Sequence, residues 1–174
     1  MRKFIKNAFI IALEGIDGSG KTTQCQMLAD YLNKIGVNAQ PVGRRFIYSS
    51  AITLFKGTEV IIFDRYIDTV KVFFHYRKNR KIKKILRLFP PPHLVFYLEL
   101  DVDLALELIS VRGGKSEKYE SKEELEIFKR AYKAEFNLKT ENNGAYKLNA
   151  SEPIEFIHKK IARIVIKRLS LRAV

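Results

Sequence analysis

Gly15-Ile16-Asp17-Gly18-Ser19-Gly20-Lys21-Thr22 is the stretch that decides the fold. It fits G-x-x-x-x-G-K-[S/T] in full. It stands between an apolar run, Phe9-Ile10-Ile11-Ala12-Leu13, and a segment with helical patterning, Thr22–Ile35. A strand entering such a loop and a helix leaving it make a phosphate cradle. Glycines let successive N–H groups turn toward one anion, and the helix N-terminus adds partial positive charge. On this pattern Lys21 reaches the β- and γ-phosphates of a nucleotide, and the Thr22 hydroxyl ligates Mg²⁺. A Gly-rich turn matching by chance would have no reason to carry both flanking elements.

Outward from the loop, apolar runs alternate with helical patterns. The strand candidates are Phe9–Leu13, Val37–Val42, Val60–Phe63, Leu94–Leu100 and Ala145–Leu148. The helix candidates are Thr22–Ile35, a short piece at Ser50–Phe55, Asp68–Arg77, Lys81–Phe89, Asp103–Val111, Lys122–Leu138 and Pro153–Leu169. This alternation predicts an α/β fold with a parallel sheet covered on both faces. Nearly unbroken apolar strands agree, since a central parallel strand is buried on both sides. Gly36 follows the first helix where a C-terminal glycine belongs, and Pro90-Pro91-Pro92 stops a helix before the fourth strand. With no repeat, low-complexity tract or linker, residues 1–174 read as one domain.

The bulk properties suit that reading. The chain has 174 residues, 47% of them hydrophobic and 29% charged, which fits a folded protein with a full core. No stretch approaches the roughly 18 continuous apolar residues of a membrane span. The basic start, Met1 to Asn7, lacks the apolar region of a signal peptide. A single cysteine, Cys25, excludes an internal disulfide and reads as a packed small residue. A cytoplasmic location is the simplest expectation. Net charge is +13, densest at Arg77–Arg87 with seven bases and no acid. Such a run suits nucleic acid. Ile82, Ile85, Leu86 and Phe89 recur at helical spacing, however, which favours the solvated face of an amphipathic helix.

Four further segments carry chemistry. Asp64-Arg65-Tyr66 follows an apolar strand, so it falls at the carboxyl end of the sheet where ligands bind in open α/β folds. If that strand lies beside the first, Asp64 faces the loop and holds Mg²⁺ directly or through water, while Arg65 meets a phosphate. Asp17 inside the loop would repel a phosphate, so it is expected to turn toward a hydroxyl or a metal-bound water. Glu14 is open to a similar part, or to pairing with a nearby base. Arg112 to Glu120 holds two glycines with Arg112, Lys115 and Lys118, which suits a cationic lid near 112–121 closing over phosphates. Asn149-Ala150-Ser151 follows the last strand and can border a purine base, with Ser151 open to an alternative role as a helix N-cap.

Four segments in order give the chain a family likeness: Leu13–Gln24, Asp64–Asp68, His93–Val102 and Asn149–Ser151. It resembles the thymidylate kinase family of nucleoside monophosphate kinases, most of all the archaeal members. The resemblance implies a P-loop fold with a five-stranded parallel sheet in order 2-3-1-4-5. It implies ATP as donor, Mg²⁺, a nucleoside monophosphate (dTMP above all) as acceptor, and a homodimer. Gly15, Gly18, Ser19, Gly20, Lys21, Thr22 and Thr23 carry over to the donor phosphates, with Arg112 and Ala150 at the rest of ATP. Asp17 carries over to the acceptor's sugar 3′-hydroxyl, Arg65 with Tyr66 to the acceptor phosphate, and Thr22 with Asp64 to the metal. Lys21, Arg65, Arg112, Lys115 and Lys118 supply the charge for transfer.

The departures from the family are local. The family usually has Arg-Glu-Pro-Gly-Gly-Thr and further helices between Gly43 and Asp64, where this chain has only Arg44 to Gly57 and a few more residues. Arg44 or Arg45 can replace the family's missing arginine, and Phe46 or Tyr48 can stack on a base. The polar positions after Asp-Arg-Tyr become Thr69 and Phe74, so the base-reading Gln is absent. The leading expectation is a dTMP kinase-like phosphotransferase. The alternative is a nucleotide-binding relative that no longer phosphorylates and binds nucleic acid through residues 77–87.

Overall fold

The computed structural model describes residues 8–43, 57–76, 86, 89–112 and 121–171. In chain order the elements are β1 (Phe9–Glu14), α1 (Lys21–Lys34), β2 (Ala39–Val42), β3 (Val60–Asp64) and α2 (Ile67–Tyr76). There follow β4 (Leu94–Glu99), α3 (Val102–Arg112), α4 (Lys122–Asn137), β5 (Ala145–Asn149) and α5 (Ile154–Ser170). The five strands form one sheet in order β2-β3-β1-β4-β5, and every neighbouring pair is parallel. This is the expected P-loop architecture and strand order.

Strand alternation explains the two-sided core, because successive side chains point to opposite faces of a sheet. Phe9, Ile11 and Leu13 of β1 join Val60, Ile62, Leu94, Phe96 and Leu98 on one face. There α1 contributes Cys25, Leu28, Ala29 and Leu32, and α5 contributes Ile157, Ile161 and Val165. Ile10 and Ala12 join Ile61, Phe63, Val95 and Tyr97 on the other face, under Val72 of α2, Val102 and Ala105 of α3, and Leu125, Phe128 and Tyr132 of α4. The unbroken apolar spelling of β1 and β3 is the mark of strands with no solvent side. Cys25 is a buried free thiol, as its setting suggests.

Local chemistry trims several expected ends. β2 begins at Ala39 rather than Val37, because Asn33 of α1 reaches across. Its Nδ2 donates to the Ala39 carbonyl and its Oδ1 accepts from the Ala39 N–H, each at 2.9 Å. Ser151 does not cap α5. Its N–H and hydroxyl both turn back to Asn149 Oδ1 at 3.1 and 2.7 Å, and Pro153 takes the N-cap position without a side-chain bond. A short 3₁₀ turn at Glu141–Asn143 leads into β5, where no element was expected. The helix expected at 50–55 lies outside the described residues. So does all of the one expected at 81–89 except Leu86 and Phe89. Among the described residues no helix is long and apolar enough to cross a membrane.

Two details place the site. Strand order reverses on either side of β1, so a crevice opens beyond the carboxyl ends of β1 and its neighbours. The entry to β4 is clamped to β1: His93 N donates to Ile10 O at 2.8 Å, and Ile10 N donates to His93 Nδ1 at 2.9 Å. The same entry abuts Gly144, which closes the 3₁₀ turn at φ 77. A Cβ at Gly144 would stand 2.3 Å from the His93 carbonyl oxygen. Gly144→Ala should therefore lower stability by about 2 kcal/mol or more, from left-handed strain and displacement of β4. Chemical unfolding of the variant against the natural protein measures the cost.

Candidate active site

The phosphate loop curls at the carboxyl end of β1. Gly18 has φ 82, and a Cβ there would lie 2.8 Å from the Ala105 carbonyl oxygen of α3. Glycine thus lets the loop lie directly against α3. Lys21 opens α1 and is only 5% exposed. Its Nζ donates to the Ile16 carbonyl at 2.6 Å and to Ser19 Oγ at 3.1 Å, both within the loop. Burial, followed by the nearby Arg65 charge, pulls its pKa down to about 8 against the attraction of Asp64, Asp17 and Glu14. Two buried cations sharing one loop create a site that favours a polyanion.

Parallel pairing of β1 with β3 sets Leu13 beside Asp64. Asp64 therefore faces the loop, as expected if these strands were neighbours. Thr22 Oγ1 donates to Asp64 Oδ2 at 2.5 Å. Arg65 follows in the left-handed region at φ 72, the one non-glycine residue with positive φ among those described. Its N–H donates to Leu13 O at 3.0 Å. Its guanidinium is buried and makes three hydrogen bonds to protein. Nη1 donates to Gly15 O at 2.9 Å and to Tyr132 Oη at 3.0 Å, and Nη2 pairs with Asp17 Oδ1 at 2.6 Å. Asp17 therefore turns away from the phosphate cradle, as its charge requires, and meets an arginine.

Glu14 has neither of the roles read from sequence. It pairs with no base among the described residues and is fully buried. Oε1 accepts from the N–H groups of Tyr66 and Asp68 at 2.9 and 3.2 Å, capping the start of α2. Oε2 accepts from Thr69 Oγ1 at 2.5 Å. Burial, then the charge of Asp68, pushes its pKa up to about 7 despite the bonds from Thr69 and Tyr66 and the charge of Arg65. Asp68 is itself buried and pairs with Lys71 at 3.2 Å and with Lys139.

One cleft of about 520 Å³ gathers most of the expected residues that the structure describes. Asp17, Gly18, Gly20, Lys21, Thr22 and Thr23 line it from the loop, Asp64 and Arg65 from β3, and Arg112 with Leu108 and Ile109 from α3. Arg112, at the end of α3, thus shares the cleft with the phosphate loop. Tyr66 does not line it. Its ring stacks on Phe63 at 4.2 Å and its hydroxyl donates to Pro90 O at 3.0 Å, so it is a core residue. Ala150 sits at the end of β5, its N–H bonded to Glu99 O at 2.8 Å. Arg44, Arg45, Phe46, Lys115 and Lys118 lie outside the described residues. Sequence reading passed over Tyr132, which is buried on α4 and hydrogen-bonded to Arg65. In sequence it is one more aromatic at a core-facing helical position, with no local signal of a polar role.

The oxygen donors suit magnesium. Thr22 and Asp64 offer a hydroxyl and a carboxylate side by side at the mouth of the cradle. Among the described residues no cluster of three or more His, Cys, Asp or Glu forms a cage for a metal. Mg²⁺ commonly needs only one or two protein oxygens, with substrate phosphates and water completing its shell.

Comparison with known proteins points the same way. The family profile described as thymidylate kinase matches residues 42–161. The chain is 31% identical over 188 aligned positions to the probable thymidylate kinase of Methanococcus aeolicus, covering 90% of this chain and 95% of that protein. It is 25% identical over 194 positions to the probable thymidylate kinase of Sulfolobus acidocaldarius, covering 93% and 98%. It is 24% identical over 209 positions to the thymidylate kinase of Sulfurihydrogenibium sp., covering 95% and 98%. Each alignment is longer than the 174 residues of this chain, so each relative has residues with no counterpart here.

The buried carboxyl of Glu14 gives a direct test. Its pKa rises from an ordinary 4.5 to about 7 on folding. Between these values the folded state binds more protons than the unfolded state, so stability falls as pH rises through the window and stays lower above it. Glu14→Gln removes this term. Relative to that variant, the natural protein should lose on the order of 3 kcal/mol between about pH 4.5 and about pH 7. Chemical unfolding of both proteins across the window checks this, and parallel pH curves would refute it.

Proposed function

The chain belongs to the thymidylate kinase family, and we propose on that premise that it moves the γ-phosphoryl group of ATP to dTMP, giving dTDP and ADP. The observation that carries the reading is the convergence of Lys21, Thr22, Asp64 and Arg65 on one cleft. The alternative of a non-catalytic nucleotide-binding relative is not favoured, because the chain matches thymidylate kinases over most of its length and keeps Lys21, Thr22, Asp64 and Arg65.

The chemistry asks the protein for position and charge. The loop N–H groups and Lys21 hold the donor phosphates. Lys21 gives up its bonds to Ile16 and Ser19 and turns its ammonium to the incoming anion. Thr22 and Asp64 would hold Mg²⁺, which when bound would supply charge neutralisation for the phosphate oxygens. Arg65 and Asp17, now paired, divide between the acceptor's phosphate and its sugar 3′-hydroxyl. A phosphate oxygen of the acceptor attacks the γ-phosphorus, and the bond from that phosphorus to the β–γ bridging oxygen breaks. Arg112, with Lys115 and Lys118 of the 112–121 lid, supplies charge for the transition state and shields it from water. Ala150 borders the adenine, while Arg44, Arg45 and Phe46 wall the acceptor. The whole chain acts as one domain and as a homodimer, and the basic run at 77–87 is not a nucleic-acid site.

Lys21→Ala should abolish measurable turnover and weaken ATP binding about tenfold or more, since it deletes a charge-assisted contact. Calorimetric titration with ATP·Mg²⁺ and a coupled ADP-release assay read both quantities. Unchanged affinity and rate would remove the loop from the mechanism.

The acceptor gives a second test. Sugar and phosphate contacts survive, but the family's base-reading Gln does not. The preference in kcat/KM for dTMP over dUMP and dCMP should therefore be modest, on the order of tenfold, because few polar groups remain to be left unpaired by a wrong base. Rates with the three monophosphates measure it. Turnover of dTMP alone would show that residues 44–55 rebuild a complete pocket.

A further inference from the structure

The guanidinium of Arg65 is held by a hydrogen-bond chain that runs inward, away from the cleft. Arg65 Nη1 donates to Tyr132 Oη at 3.0 Å, and Tyr132 Oη lies 2.6 Å from Thr69 Oγ1. Thr69 Oγ1 donates to Glu14 Oε2 at 2.5 Å, and Glu14 Oε1 takes the two N–H groups at the start of α2. Arg65, Thr69, Glu14 and Tyr132 are all buried, so water does not compete for these bonds.

Proton counting fixes the direction of the chain. Above about pH 7 Glu14 is ionised and only accepts, so the single Thr69 proton goes to Glu14. Tyr132 must then give its own proton to Thr69. Burial pushes the tyrosine pKa well up, so that proton stays in place. Both lone pairs of Tyr132 Oη are left free for Arg65, which can only donate. Each hydroxyl proton is used once, and every bond points from the guanidinium toward Glu14.

We propose that Glu14, Thr69 and Tyr132 are positioning residues for acceptor binding, a buried relay that fixes the orientation of Arg65 so that its phosphate-binding edge is preset. The proposal rests on the reading of Arg65 as the acceptor-phosphate contact. It gives one carboxylate two tasks. Glu14 caps the helix that follows Arg65, and it sets the polarity of the chain that holds the Arg65 side chain. Backbone and guanidinium of Arg65 are thereby fixed from the same point. Asp17 holds the opposite edge at 2.6 Å, and it is the partner an acceptor would have to displace or share.

The test uses four variants of the full chain. Glu14→Gln keeps an oxygen for the α2 N–H groups but presents an amide donor to Thr69, inverting the chain. Thr69→Val and Tyr132→Phe break it with little change of shape. Thr69→Ser keeps the hydroxyl and is the rescue. The first three should raise the dTMP KM about tenfold, the size expected for losing one hydrogen bond to a charged group, with ATP KM within about twofold of the natural protein. Thr69→Ser should match the natural protein. A parallel rise in both KM values, failure of the serine rescue, or no change at all would overturn the proposal.

A second readout does not depend on turnover. In the free protein, nitrogen-15 NMR of the Arg65 guanidinium should show separate Nη signals from slow rotation. These should merge in Tyr132→Phe and Glu14→Gln but not in Thr69→Ser. Merged signals already in the natural protein, or separate ones in every variant, would refute the relay. If the natural protein phosphorylates no monophosphate, the functional reading falls and the NMR result alone decides the relay.

Discussion

A positive charge buried between a strand end and a loop is the constraint around which this molecule is arranged. Arg65 is 6% exposed and lies in a backbone region that costs a side-chain-bearing residue about 1–2 kcal/mol. An isolated buried cation would be far more expensive. Its surroundings explain why it persists. The Gly15 carbonyl, the Tyr132 hydroxyl and the Asp17 carboxylate take its N–H groups, and the Leu13 carbonyl takes its backbone N–H. Those partners come from β1, the phosphate loop and α4, so one residue, through its backbone N–H and its side chain, ties three parts of the fold together. Strain and buried charge concentrate at functional sites where the surroundings over-determine them, and here they mark the crevice floor.

The sheet supplies the rigid frame for this. Parallel pairing of β1 and β3 brings the phosphate loop and Asp64-Arg65 to the same edge, although they are far apart in the chain. The two apolar faces of that sheet are each covered by helices, so neither strand can slip without exposing a full set of core side chains. The strand ends are accordingly fixed, while the residues beyond them are available for binding. The bond between Thr22 and Asp64 depends on this register.

Electrostatics give the site its character. Lys21 and Arg65 are both buried; burial and then the Arg65 charge pull the Lys21 pKa down, whereas burial of Arg65 is outweighed by Tyr132, Asp17, Asp64 and Glu14, which hold its pKa above the ordinary value. The result is a cleft whose charge is best matched by phosphate. Lys21 bonded to Ile16 and Ser19, and Arg65 bonded to Asp17, are placeholders of the same kind. A bound anion would exchange one set of partners for another without creating a new buried charge.

The G-x-x-x-x-G-K-T spelling, the apolar strands and the helical patterns were enough to specify a parallel α/β fold, its strand order by family likeness, and the cleft residues from Asp17 to Thr23, Asp64 and Arg65. That information is local: a glycine where φ must be positive, an apolar run where both faces are covered, an acid at a strand end. Tertiary structure alone decided the partners. Glu14 looked like a strand-end acid near a metal or a base, and it became a helix cap because α2 starts directly beside β1. Tyr66 looked like part of the binding motif, and it turned into the core because Phe63 and Pro90 offered its ring and hydroxyl a place. Tyr132 carried no signal, because an aromatic on a core-facing helical stripe looks the same whether or not its hydroxyl meets a buried arginine. Sequence fixes which groups can donate, accept or carry charge. Which of them meet depends on register and on how helices lie across a sheet, and those are set by packing over the whole chain.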